Sequence, residues 1–385
     1  MLPTDAVGLD VGFLAGVAQN PSAYQRMKLA RELAAFVSDD KTGAEERSAV
    51  LPVLLKLAND EVVAVRRAIA QEVELGTHVP PELAFAIAAD EDGIALPFLT
   101  VCPGLSSGTL VAIARVGDAE RLIAIAKRSV LPRAVLGILI KQGTAAVCTH
   151  LLANHAIKIP IEGFRILLKR FGGLTVICEA MRKRKDLPVE VRIQLTRINN
   201  DRVKVVLARQ GWVPDGRLDD LVTEAEEISF LQIASELDAA GLEAMVRYLA
   251  TDKLMTGSLI CRAACHGEIS FLVEALAFLA SMPSRHLATI FATRNVASLK
   301  SACERAELPA PCISLVTLAM QCGKGYSREE GPVDFAQAMV NRATQQRGRR
   351  NQAGFTDLLS LIGAFGPEEI KPVTDRLREG KSRAA

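Results

Sequence analysis

Basic residues concentrate between positions 151 and 215, where 13 Lys and Arg accompany 6 Asp and Glu, although the 385-residue chain carries a formal charge of only +2. Such side chains can neutralise the phosphates of a nucleic acid or the carboxylates of a protein. The first three candidates lie at i, i+4 and i+5, a helical spacing that brings them to one side of a helix. The residues singled out for binding a partner are Arg165, Lys169, Arg170, Arg182, Lys183, Arg184 and Lys185.

Three features weigh against nucleic acid as that partner. The isoelectric point is only mildly basic at about 8.1. Asp186, Glu190 and Asp201 interrupt the basic run, and one Trp and three Tyr leave few rings to stack on bases. We therefore expect a protein partner, with an acidic one favoured. Nucleic acid bound along residues 165–209 is the alternative, and a solvated face without a partner is the third interpretation.

The sequence contains only incomplete motifs for phosphate binding, metal binding and catalysis. The Gly-Lys-Gly run at 323–325 lacks the spacing of a phosphate-binding loop, and no predicted strand precedes it. Cys261, Cys265 and His266 could offer metal ligands, but neither a Cys-x-x-Cys pair nor a His-Glu-x-x-His motif exists. No Gly-x-Ser-x-Gly elbow is present either. We therefore predict that the protein is not an enzyme and holds no cofactor and no metal ion.

The composition indicates which elements must position these residues. Hydrophobic residues make up 49% of the chain, but aromatic residues only 4%. A core of Leu, Ile, Val and Ala suits packed helices better than sheets, whose strands favour aromatic and β-branched residues. The sequence therefore predicts an all-α fold.

The expected compartment is the cytoplasm. The first residues lack the basic start of a signal peptide, and eight scattered cysteines suit reduced, buried thiols. The longest uncharged run, 93–114, is broken by Pro97, Pro103 and Gly108, so we expect no membrane span.

Residues 42–75 indicate a helical hairpin. Thr42 and Glu45 have the spacing of a capping box, and Asp60 can cap a second helix that Gly76 ends. The pattern around Asp60 recurs thirty residues later around Asp90. One helix pair per period of this length is typical of a solenoid.

The segment LPVLLKLANDEVVAVRRAIAQEV (51–73) resembles a HEAT repeat, with Leu-Pro in the first helix, Asp60 at the turn and Val65-Arg66 after it. The next unit keeps Asp90 but has Leu96 where Arg66 stood, which leaves the Asp–Arg ladder of such repeats open there. The resemblance implies stacked helical hairpins.

Four further segments resemble an alphaproteobacterial family of unknown function, DUF2336, whose N-terminal half is HEAT-like. They are Ile125–Arg128, Leu151–Asn154, Cys261–Pro283 and Glu304–Pro309. The resemblance covers roughly residues 45–345 and implies no particular activity.

Together these observations predict a HEAT-like helical-hairpin solenoid that continues into a helical C-terminal half. The expected domains are HEAT-like repeats over 1–172, a second helical region over 173–330, and a basic connector with C-terminal helices over 331–385. The expected function is a cytoplasmic scaffold or adaptor that binds a protein partner on an extended surface without catalysis. The sequence leaves the oligomeric state undetermined.

Overall fold

The computed structural model describes residues 11–20, 22–210, 213–323, 331–346 and 352–379, and every regular element within these ranges is a helix. The all-α prediction is therefore confirmed. The chain divides into two compact units, Met1–Leu187 and Pro188–Ala385. Within the described ranges, no helix is both long and apolar enough to cross a membrane.

The N-terminal unit contains twelve helices among its described residues. They are α1 (Val11–Val17), α2 (Ala23–Ser38), α3 (Ala44–Leu57), α4 (Val63–Val73), α5 (Pro81–Ala88), α6 (Asp92–Val101), α7 (Ser107–Val116), α8 (Ala119–Ala126), α9 (Arg133–Gln142), α10 (Ala145–Ala153), α11 (Ile161–Phe171) and α12 (Thr175–Arg182).

These helices form two rows, because each packs on the helix two places further along the chain. The even-numbered helices α2 to α12 contact one another in succession, and so do the odd-numbered helices α1 to α11. Aliphatic side chains such as Leu33, Leu54, Ile69 and Leu99 fill the space between them. This is the packing order of stacked helical hairpins, in which each pair buries its apolar faces against its neighbours.

Aspartates of the predicted repeat pair with arginines of neighbouring hairpins. Arg26 Nε lies 2.6 Å from Asp60 Oδ2, and Arg66 Nε lies 2.8 Å from Asp90 Oδ2. The hydrogen bond from Arg26 lowers the pKa of Asp60. Asp90 thus has an arginine partner although Leu96 stands at the position that repeats Arg66, because the partner comes from the preceding hairpin.

Arginine also caps helix ends further along the same unit. Arg121 of α8 donates to the carbonyl of Ala88, the last residue of α5, at 2.6 Å. Buried Arg128 donates to Leu99 O at 2.7 Å and to Cys102 O at 2.6 Å, at the end of α6. The last carbonyls of a helix have no partner within it, so these guanidinium groups join one hairpin to the next by satisfying them.

The start of α3 differs from the prediction. The helix begins at Ala44, with Gly43 rather than Thr42 as its N-cap, and the carboxylate of Glu46 accepts a hydrogen bond from the Gly43 amide. Thr42 is buried, and its hydroxyl donates to Phe36 O at 2.7 Å. The threonine is therefore used to fix the loop rather than the helix terminus.

The boundary between the units lies fifteen residues beyond the expected one at 172, because α12 packs on α10 and so belongs to the N-terminal unit. Beyond it the described helices are α13 (Val189–Gln210), α14 (Asp215–Ser235), α15 (Ala239–Thr251), α16 (Gly257–His266), α17 (Ile269–Leu279), α18 (Ser284–Thr293), α19 (Val296–Arg305), α20 (Ala310–Cys322), α21 (Pro332–Gln345), α22 (Gln352–Phe365) and α23 (Lys371–Glu379). A 3₁₀ turn at Glu368–Ile370 precedes α23.

One core runs through the C-terminal unit. Helices α21 and α22 pack on α16 and α20, and Phe335, Met339 and Leu359 are buried in the same cluster as Phe271 and Leu315. Residues 331–385 were expected to form a separate region, but their described helices share this core. The predicted turn at Trp212 and the lysine of the 323–325 run lie outside the described residues, as does part of the predicted connector.

Candidate interaction surfaces

Arg184 is a structural residue rather than a surface one, which corrects its assignment as a partner-binding candidate. Its side chain is fully buried. The guanidinium donates to the carbonyls of Leu152 at 2.9 Å, Asn154 at 3.0 Å and Ile157 at 2.6 Å, and it pairs with Asp186 at 2.8 Å. It therefore caps the end of α10 and fixes the loop that follows.

Arg170 also caps a helix. Part of its side chain is exposed, but its guanidinium donates to the carbonyls of Ile140 and Gly143 at the end of α9 and lies 4.5 Å from the centre of the Phe171 ring. The Arg170 and Arg184 head groups thus sit at opposite ends of α10, which is nine residues long and so spans about 13 Å. The basic segment is therefore divided between two edges of the helical rows.

The remaining basic candidates are exposed. Arg165 pairs with Glu162 on its own helix at 2.6 Å. Lys169 lies near the end of α11, whereas Arg182, Lys183 and Lys185 lie at or beyond the end of α12. An exposed ion pair within one helix contributes little to stability. Arg165 and Lys169 on α11, and Lys183 and Lys185 after α12, therefore form two small exposed groups rather than one patch.

The long hairpin of α13 and α14 has polar side chains between its helices. Lys204 pairs with Asp219 across it, and Arg197 Nε lies 3.9 Å from Glu226 Oε2. Burial raises the pKa of Glu226. The side-chain amide nitrogen of Asn200 is buried without a hydrogen-bond partner. We call the distal part of this hairpin, residues 196–210 and 213–226, the arm.

The arm carries four large exposed apolar side chains, although Leu218 within it is buried. Val203, Val205 and Val206 on α13 are 46%, 48% and 55% exposed, and Leu221 on α14 is 37% exposed. In an ordinary two-helix packing the apolar stripe faces the partner helix and charges face solvent. These four side chains on the arm instead face solvent. Sequence reasoning missed these valines, because it weighed residues 192–209 only for their positive charges.

A family model described as an uncharacterised protein conserved in bacteria (DUF2336) matches residues 94–353. The chain belongs to the DUF2336 family. No curated protein and no solved structure matches it. The match begins within α6 and includes the arm, Arg128 and Arg184. The segment 51–73 and the aspartates Asp60 and Asp90 lie before it.

A second polar cluster of this DUF2336 protein lies between α14 and α16. Glu227 and Arg262 are both buried, with Arg262 Nε 3.0 Å from Glu227 Oε2. Glu224 accepts a second bond from Arg262 at 3.0 Å, while the hydroxyls of Thr256 and Ser258 donate to Glu227. Each charge is thereby compensated, as a buried ion pair requires. The cluster ties two helices together.

A cleft of about 690 Å³ in the DUF2336 chain lies beside α16. It is lined by Leu231, Ser235, His266, Glu268 and Glu369, among others. Burial lowers the pKa of His266 to about 4, and its Nε2 is buried without a hydrogen-bond partner. The imidazole is therefore neutral at physiological pH. No nucleophile is hydrogen-bonded to it among the described residues.

The cysteine and histidine residues weighed as metal ligands do not converge. Within the described ranges, no three side chains of His, Cys, Asp or Glu come close enough together to hold a metal ion. Cys265 is fully buried, and burial raises the pKa of its thiol to about 12. Such a thiol stays protonated and packs as a small apolar side chain.

Proposed function

We propose that this DUF2336 protein is a cytoplasmic interaction scaffold without catalytic activity, which binds a protein partner through the arm. The observation that carries the proposal is the group of exposed valines on the arm. Val203, Val205 and Val206 lie within a single turn of α13, and covering them with another apolar surface is favourable. The ion pairs between α13 and α14 do not involve these valines.

The partner that fits this surface is a helix with an apolar stripe. A helix laid along the side of α13 that carries Val205 and Val206 would bury both side chains in one contact, as helices do in grooves and coiled coils. Val203, two residues before Val205, lies nearer the opposite side of α13. Lys183 and Lys185 supply a separate, positively charged edge on the N-terminal unit, where an acidic segment of a partner would gain electrostatic steering.

A protein partner is favoured over nucleic acid because the exposed basic side chains lie in two separate groups. The guanidinium groups of Arg184 and Arg170 bind backbone carbonyls at opposite ends of α10. Continuous backbone binding needs several cations along one path. Nucleic acid along residues 165–209 remains the alternative.

A pull-down from native cells, with and without nuclease, tests the proposal. Tagged wild-type chain is compared with Val206→Glu, which places a charge in the apolar face, and with Val116→Glu, which alters an exposed valine on α7. We expect a stoichiometric protein that survives nuclease, is retained by Val116→Glu and is lost by Val206→Glu.

Two results would contradict the proposal. Equal retention of the protein by both variants would exclude the arm as the docking surface. Recovery of nucleic acid, with protein lost after nuclease, would favour the alternative. Circular dichroism of both variants confirms that the helical fold is intact before binding is compared.

A further inference from the structure

The apolar stripe of the arm has the spacing of a coiled coil. Val191, Leu195, Ile198 and Val205 occupy positions of a single heptad stripe along α13, in which Arg202 takes the position between Ile198 and Val205. Its first half is covered, since Val191 and Leu195 are buried and Gln194 donates to the Tyr248 hydroxyl of α15 at 3.2 Å. Beyond Leu195 the stripe continues, half-buried at Ile198 and about half exposed at Val205. Val205, in the second half of the stripe, therefore offers an apolar surface that another helix can cover.

Charges on either side of Val205 are self-complementary. Asp201 lies four residues before it and Arg209 four residues after it. Both are exposed, and neither forms an ion pair with the described part of the chain. In an antiparallel pair of α13 helices related by a two-fold axis at Val205, Asp201 of each copy faces Arg209 of the other.

We propose that the occupant of the arm is a second copy of this chain, whose α13 packs antiparallel on the first with Val205 at the axis. This deepens the proposed function and rests on it. A two-fold contact of this kind uses the same surface on both copies. Burial of the valines supplies the affinity, whereas the two Asp201–Arg209 pairs set direction and register, because exposed ion pairs contribute little energy but like charges are disfavoured.

Charge reversal with mixing is the decisive experiment. Sedimentation equilibrium of the full chain is expected to give a dimer mass for the wild type. Asp201→Arg places two like-charged pairs in the contact, and so does Arg209→Asp, so each variant should dimerise at least about tenfold more weakly. An equimolar mixture should restore the dimer, because both cross pairs are then opposite in sign. Lys300→Glu, a charge reversal at an exposed site on α19, should dimerise with the same affinity as the wild type.

Failure of this inference is distinguishable from failure of the scaffold proposal. A monomeric wild type, or a mixture that stays monomeric, overturns the second copy as occupant. If the pull-down still recovers a different protein that Val206→Glu loses, the scaffold proposal stands. If Val206→Glu loses nothing, the arm itself is excluded.

An independent feature is a pair of buried thiols. Cys261 on α16 and Cys312 on α20 lie with their Sγ atoms 2.8 Å apart, well inside the contact distance of two unbonded sulfur atoms. Both are buried, with Cys312 slightly more exposed than Cys261.

The two thiols are chemically different. Cys312 is the third residue of the thirteen-residue helix α20, where the helix dipole favours a thiolate. A hydrogen bond from the Cys261 thiol lowers the pKa of Cys312, and the same contact raises that of Cys261. Cys312 is therefore the nucleophile and Cys261 the second thiol.

We infer that Cys261 and Cys312 form a peroxide-reactive site that closes to an intramolecular disulfide. The Cys312 thiolate attacks one oxygen of hydrogen peroxide, the O–O bond breaks, and Cys312 becomes a sulfenic acid with release of hydroxide. Cys261 sulfur then attacks the Cys312 sulfur, the S–O bond breaks, and water leaves with the Cys261 proton. The two thiols lose two electrons, which reduce one peroxide.

Peptide mass spectrometry without reductant tests this inference on the folded chain. After peroxide treatment we expect a cross-linked peptide containing both cysteines. Cys261→Ser should instead accumulate a sulfenic acid at Cys312 that dimedone captures, and Cys312→Ser should give neither product. Cys303→Ser, at another buried cysteine, should cross-link as the wild type does. Absence of the cross-link in folded wild type, or dimedone capture at Cys261 rather than Cys312, would overturn it.

Discussion

Replacing Arg184 with methionine should destabilise the N-terminal unit strongly. The substitution keeps an unbranched apolar stem but removes the guanidinium. The carbonyls of Leu152, Asn154 and Ile157 then lose a donor in a buried site, and the carboxylate of Asp186 loses its cation.

The magnitude follows from the number of groups left unpaired. A buried polar group without a partner costs about 1–3 kcal/mol, and breaking a buried charged contact costs about 3–5 kcal/mol. Water can reach the exposed side of Asp186, and the guanidinium no longer has to be desolvated, so the contributions do not sum in full. We expect a loss of about 3–5 kcal/mol in the free energy of unfolding.

The assay is urea unfolding of the full chain followed by circular dichroism, with the two units fitted as separate transitions. Lys183→Met is the matched control, because it removes the same charge from the adjacent, exposed residue and should change stability by less than about 0.5 kcal/mol. Equal midpoints for the two variants would refute the assignment of Arg184 as a buried cap. The same reasoning predicts that Arg182→Glu with Lys183→Glu leaves the fold intact, whereas adding Arg184→Glu does not.

Two further outcomes test the folds of the two units. Because Arg26 lowers the pKa of Asp60, this pair stabilises the fold above the unfolded pKa of about 4, and its contribution is lost as the pH falls through the folded value. Asp60→Asn should therefore weaken the decline in stability below about pH 4, and an unchanged acid profile would contradict this. Gly267→Ala should cost about 1–3 kcal/mol, because Gly267 has φ of +77° and an added Cβ would lie 2.7 Å from Phe335 Cγ. Gly137→Ala, in open space within α9, should stabilise the protein by about 0.5–1 kcal/mol. Melting-temperature shifts of the same sign for Gly267→Ala and Gly137→Ala would contradict the left-handed conformation of Gly267.

Local patterns identified the helices of the N-terminal unit but not all their termini. Aliphatic residues at helical spacing located α3 and α4, and Asp60 marked the turn between them. The capping-box assignment at Thr42 was wrong by one residue, because the Gly43 amide donates to the Glu46 carboxylate three residues later, as the Thr42 amide would to Glu45. Spacing alone does not distinguish Thr42 from Gly43 as the N-cap, since each is followed three residues later by a glutamate that can accept a hydrogen bond from the N-cap amide.

The candidate site was predictable only in outline. Arg170 and Arg184 are basic like their neighbours Lys169 and Lys183, so sequence patterning assigned all four to one surface. Which of them bind carbonyls depends on residues about thirty positions away. Likewise, the spacing of the arm valines in the sequence does not show whether they lie on an exposed or a buried face of the helix.

The sequence by itself determined the all-helical class, the hairpin period and the family, because helical spacing and low aromatic content are properties of short segments. Only the tertiary structure decided that Arg184 is a buried cap, that the arm exposes Val205, and that Cys261 meets Cys312. These outcomes depend on contacts between distant parts of the chain. Burial and pairing are set by what packs around a residue, and no local pattern contains that information.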